Sequence, residues 1–182
     1  ASNINLTQNG CTTNDKNDLA KLRWATGNLK STGSTNYIWA PSQTEIGYYY
    51  AFNKLYNGST GDPCSKLNTA YYGTGWRTPS NNELEKLSRC TDKVFTNNGM
   101  WFMNKSLGVF LKAGGVRQES GAGTGGAGYT DHGCYWTSTI GTSKNAYNME
   151  FWNTEAHVNN TSSWFGLQTN GLLIRCVKGT KQ

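Results

Sequence analysis

The segment that most constrains this chain is Thr78-Pro79-Ser80-Asn81-Asn82-Glu83-Leu84-Glu85-Lys86-Leu87. Ser80 and Glu83 stand at capping-box spacing, where each side chain accepts from the other residue's otherwise unpaired backbone N–H. Leu84 and Leu87 begin an apolar stripe, and Arg89 falls near the carbonyl end, where a cation is favoured. The pattern predicts a helix from about Asn81 to Cys90. No other segment carries so strong a helical signal, so most of the core must come from short extended runs separated by turns.

Those runs are legible from aromatic and β-branched residues bounded by Gly, Asn and Ser. They are Leu22–Ala25, Tyr37–Trp39, Gly47–Phe52, Met100–Met103, Val109–Leu111, Tyr135–Ser138, Tyr147–Phe151 and Leu172–Val177, with a turn at Asn97-Asn98-Gly99. The stretch from Glu45 to Tyr56 is where a second helix would lie. Residues 1–21 read as an N-terminal arm, 22–178 as the domain and 179–182 as a tail. Gly114 to Gly133 reads as a long, flexible surface loop. Its glycines do not make a phosphate cradle, since no Lys-Ser/Thr follows and no helix opens after it. The expected class is α+β: small antiparallel sheets, one or two helices and extensive loops.

Composition excludes several classes of function. Among 182 residues, 13% are aromatic and only 15% charged, which argues against disorder and coiled coil. The net charge of +6 is scattered singly from Lys16 to Lys181, without the clustering of a nucleic-acid footprint. No apolar run approaches the roughly 20 residues that span a bilayer, so no membrane insertion is expected. The chain lacks an initiating Met and a secretory leader and reads as a mature or trimmed product. Cys11, Cys64, Cys90, Cys134 and Cys176 are spaced too widely for zinc knuckles or a redox CxxC. With low charge and many Asn and Thr, they point to an exported, extracellular or cell-surface protein with one or two disulfides.

Gly75-Trp76-Arg77-Thr78-Pro79-Ser80-Asn81-Asn82-Glu83-Leu84 resembles the GWRLPTxxE signature of the formylglycine-generating enzyme and sulfatase-modifying-factor superfamily. It resembles more closely the non-enzymatic bacterial surface domains called FISUMP, or major paralogous, domains. Trp24–Leu29, Gly133–Thr139 and Gly171–Lys178 agree with the same pattern in order. The resemblance implies a C-type lectin-like fold whose terminal strand pairs near the first. It also implies a long-range disulfide between Cys90 and Cys176. Trp76, Tyr135 and Trp136 are expected in the core, and Arg77 and Arg175 in structural roles, neutralising an acid or capping carbonyls.

Catalysis is not expected. The copper-dependent members of that superfamily carry closely spaced cysteines before the terminal strand, and Ala146 to Phe165 contains none. The only histidines are His132 and His157, too few for an iron site by themselves. Asp131-His132-Gly133-Cys134 holds a Cys and a His, but sequence neighbours rarely have the opposed geometry of proton transfer. Trp152-Asn153-Thr154 resembles the calcium-binding WND of C-type lectins with Thr in place of Asp, and the partner EPN or QPD is absent. No cofactor and no metal are therefore expected.

A binding surface remains. Trp152, Asn153, His157, Asn159, Asn160, Trp164, Phe165 and Gln168 combine aromatics with adaptable amides, the chemistry of paratopes and sugar platforms. Alternation predicts Tyr147, Met149 and Phe151 inward and Trp152 outward. Trp152, Trp164 and Phe165 are the expected anchors for a glycan or protein on another cell or surface. An alternative of the same fold is a retroelement-diversified display protein, bacterial or phage. An alternative of another class is a divergent formylglycine-generating-type metalloenzyme.

Overall fold

The computed structural model describes residues 10–118, 122–124, 127–153, 155–159 and 164–182. The fold is α+β, with small antiparallel sheets and few helices. Helix α1 (Thr13–Ala20) is followed by β1 (Arg23–Trp24), β2 (Leu29–Ser31) and β3 (Tyr37–Trp39). A 3-10 turn (Pro63–Lys66) and a short helix α2 (Thr69–Tyr72) lead to β4 (Trp76–Arg77) and helix α3 (Asn81–Arg89). Then come β5 (Asp92–Thr96), β6 (Gly99–Met103), β7 (Gly108–Lys112), β8 (Gly133–Ile140), β9 (Ala146–Trp152) and β10 (Glu155–Asn159). A 3-10 turn (Trp164–Gly166) and β11 (Val177–Lys178) complete the chain.

Helix α3 forms where expected, with both halves of its capping box in place and Leu84 and Leu87 buried. Glu83 is also buried, because its carboxylate takes a bidentate pair of bonds from Arg77 at 2.8 and 2.6 Å. Arg77 reaches the Gly179 carbonyl as well, and Gln182 N–H donates to Glu83, so the tail is tied to the helix start. The terminal strand β11 lies between β1 and β4, all antiparallel.

Two cores flank the β8–β9 ribbon, and adjacent residues alternate between them, as side chains of an extended chain must. Cys134, Trp136, Tyr50, Leu172 and Ile174 enter one core, centred on Trp136. Tyr135, Tyr49 and Leu173 enter the other with Met149, Phe151, Leu84 and Leu87. Each such side chain contributes about 1.5–3 kcal/mol on removal from water. Gly133 is required in this ribbon, because a Cβ there would stand 1.9 Å from the Phe151 ring. At Asn97 and Asn98, φ values of 51° and 52° build the turn that joins β5 to β6.

Several expectations need correction. The described part of the arm holds α1, opened by a Thr12–Asp15 capping box and docked on α3 through Asp15–Arg89 and Asp18–Lys86. No helix occupies Glu45–Tyr56; Tyr49 and Tyr50 instead bridge to Gly123 and Leu172. The described parts of the glycine-rich stretch are no loose surface loop, since Val116 is fully buried and bridges to Gly128. Tyr147 is only half-buried while Asn148 is buried, because both faces of β9 are covered: Met149 and Phe151 pack with Leu84 and Leu87 of α3, and Gly166 lies against Asn148 on the other face.

The expected Cys90–Cys176 disulfide is not formed. Cys90 is bonded to Cys11 and Cys176 to Cys64. The reason is packing: Cys90 ends α3 in the Phe151 core, whereas Cys176 lies in the Trp136 core with Cys64. Cys134 is the free thiol and is buried. Trp76, Tyr135 and Trp136 are core residues as expected. Arg77 neutralises an acid and Arg175 caps a carbonyl. Buried Arg175 donates to Asn28 Oδ1 at 3.0 Å and to the Ala25 carbonyl at 3.1 Å, and burial pulls its pKa down to about 10.

Candidate functional site

The turns after the glycine-rich stretch, after β9 and before the terminal segment converge on one surface of joined rings. The first turn is Tyr129–His132, closed by the His132 N–H on the Tyr129 carbonyl at 2.9 Å. Tyr129 holds a φ of 57°, a left-handed conformation that bulky residues rarely adopt. Gly115 passes directly beneath this turn, and a Cβ on it would stand 1.9 Å from the Gly128 carbonyl oxygen.

The second turn joins β9 to β10. Trp152 pairs with Glu155 across the hairpin, and Asn153 is exposed with a φ of 52°. The Trp152 ring lies 5.3 Å from His132 and 5.4 Å from His157. Each histidine meets a carboxylate: His132 with Asp131 at 2.9 Å, and His157 with Glu155 at 3.2 Å. The bond from His132 holds Asp131 below the ordinary carboxylate range.

The third turn carries Trp164 and Phe165. Asn170 fixes it from below, donating to the Trp164 and Phe165 carbonyls at 3.0 and 3.3 Å. Phe165 packs partly on the Trp136 core, and its ring lies 5.3 Å from Tyr129 and 6.3 Å from His132. Trp164 lies 6.0 Å from Tyr129 and 5.2 Å from Phe165. The rings thus run without interruption from His157 through Trp152, His132, Phe165 and Tyr129 to Trp164. Tyr129 is 52% and Trp164 41% exposed, so the far end of this row offers open ring surface.

The expected site residues divide accordingly. Trp152, His157, Trp164 and Phe165 are brought together, and Asn153 stands at the hairpin beside them. Gln168 does not present its amide outward, because it donates to the Thr142 and Asn145 carbonyls at 2.9 and 3.3 Å. Asn159 ends β10 opposite Asn148. Its side chain, and all of Asn160, lie outside the described residues. Tyr129 was missed by the sequence reading; the signal was a single large ring closing a glycine-rich stretch.

Cys134, two residues from His132, is buried opposite Glu150; burial first, and then that carboxylate, push its thiol well above the ordinary value. A nucleophilic cysteine needs the reverse. Among the described residues one group, Cys11, Asp15 and Cys90, gathers three donor side chains within 4.8 Å, and the disulfide engages both thiols. No helix among the described residues is long and apolar enough to cross a membrane. The chain matches no protein-family model, no curated protein and no solved structure.

Proposed function

We propose that this chain is a non-catalytic, exported or cell-surface binding module of FISUMP type with a C-type lectin-like arrangement. It recognises a glycan or a protein through the row of rings that ends at Tyr129 and Trp164. The observation that carries this reading is the continuity of those rings combined with the exposure of the two end members. Rigid aromatic side chains give large contact area at low entropic cost, and they dominate binding hot spots. Placement of β11 beside β1 supports the fold reading, and the two disulfides are compatible with an oxidising compartment. The burial of Cys134, which pushes its thiol well above the ordinary value, supports a non-catalytic role.

The test is a glycan and cell-surface protein array probed with wild type and with Tyr129→Ala/Trp164→Ala. Hits of the wild type that vanish for the folded double variant support the reading. Hits bound equally by both refute it.

A further inference from the structure

We propose a second ligand site, built from β1, β11, α2, β3 and β4, for an acidic saccharide. Arg23 and Lys178 are direct cross-strand partners in the β1–β11 pair, and Lys178 is in turn opposite Trp76 of β4. Like charges directly opposed across two strands repel, and such a pair persists only against a cost. Among the described residues no carboxylate pairs with either cation. The guanidinium of Arg23 rests over Trp76, 5.9 Å from its ring centre. The amine of Lys178 lies beside Gly73, 3.3 Å from where a Cβ would stand.

Next to this cation pair is a second set of rings, sharing no residue with the first. Trp39 of β3 lies 4.0 Å from Tyr72 and 5.0 Å from Trp76. Tyr72 is followed by Gly73, whose φ of 73° ends α2 and turns the chain toward Lys178. Tyr71, 6.5 Å from Tyr72, is 85% exposed and has no packing reason to be aromatic. The Trp76 indole N–H is used internally, on the Tyr72 carbonyl at 2.7 Å, which fixes α2 against β4.

Two cations without a carboxylate partner, one of them against Gly73, and an exposed ring two residues before Gly73 on α2 suit a ligand with an anion next to a flat, weakly polar face. An acidic pyranose has both: its carboxylate or sulfate sits between Arg23 and Lys178, and its C–H face stacks on Tyr71. Charge-assisted bonds to the anion would relieve the repulsion between the two cations. This site is independent of the proposed role of Tyr129 and Trp164.

The test titrates trigalacturonate, a sulfated heparin tetrasaccharide and neutral maltotriose into the full chain, read by intrinsic tryptophan fluorescence. Binding of either acidic probe, loss of affinity with added salt and no response to maltotriose are expected. Tyr71→Ala and Arg23→Gln/Lys178→Gln should each weaken binding about tenfold or more, while Trp164→Ala leaves it unchanged. The melting temperature of Arg23→Gln/Lys178→Gln should stay close to that of wild type, because relief of the repulsion offsets loss of the Arg23–Trp76 contact. Response to neither acid, equal response to maltotriose, or undiminished binding by these variants overturns the proposal. Loss of binding in Trp164→Ala also overturns it, since the ligand would then belong to the other surface.

Discussion

Removing the Cys64–Cys176 bridge, as Cys64→Ala/Cys176→Ala, is the most quantitative probe of this fold. The two residues are 112 apart in sequence, and both are fully buried. Closing a loop of that length removes about 16 cal/mol/K of unfolded-chain entropy, or about 4.8 kcal/mol at 25 °C. For a 182-residue chain, at about 2.1 cal/mol/K per residue, that corresponds to a melting point lower by about 13 °C. Cys11–Cys90 closes a loop of 79 residues and is worth about 4.5 kcal/mol by the same arithmetic. Its loss should differ in kind, because α1 buries only Leu19 and can detach without dissolving either core. The assays are thermal melting of both double variants, limited proteolysis across residues 12–21, and peptide mapping under non-reducing conditions. A map joining Cys90 to Cys176, or a Cys64→Ala/Cys176→Ala melting point within about 3 °C of wild type, would refute the reasoning.

Two further outcomes follow from particular residues. Glu83→Gln leaves Arg77 facing a neutral amide inside the structure and should cost about 3–5 kcal/mol in denaturant melts; a change below 1 kcal/mol would mean that the pair does not anchor the tail. Asp15 is held below the ordinary carboxylate range chiefly by the Thr12 backbone N–H, and Asp18 by the Lys86 ammonium. Depressed values stabilise the folded state above the unfolded pKa, near 3.9, and that contribution is lost as pH falls through the lower folded value. Melting temperature should therefore fall below about pH 4, and Asp15→Asn should flatten that fall.

How much was legible in the sequence depended on whether the deciding contact was local. Helix α3 was readable because its capping box and leucine stripe lie within ten residues of one another. Strands β3, β6, β7, β8 and β9 were readable from aromatic and apolar runs. Helix α1 escaped because only Thr12 and Asp15 announce it and just one apolar residue faces a core. Strand β5 does not alternate in sequence, with Val94 and Phe95 adjacent, and β10 alternates but offers only Ala156 and Val158 as apolar residues, which suffices for an edge strand. Tyr48-Tyr49-Tyr50 fits helix or strand locally, and its partners Leu172 and Gly123 are far away in sequence. The disulfide pairing was likewise a matter of which core each cysteine enters. At the candidate site, adjacent Trp164 and Phe165 were both expected to be exposed; Trp164 is, whereas Phe165 packs partly on the Trp136 core, and the internal bonds of Gln168 gave no local sign.

The affinity and stability of Trp164→Ala, measured together, test the central claim most directly. Isothermal titration of the strongest array hit should show a loss of about 2 kcal/mol, or roughly 30-fold in Kd. The melting temperature should stay within about 2 °C of wild type, since the indole is 41% exposed and its turn is held by Asn170 through backbone carbonyls. An unchanged Kd, or a variant that melts far below wild type, would contradict the account.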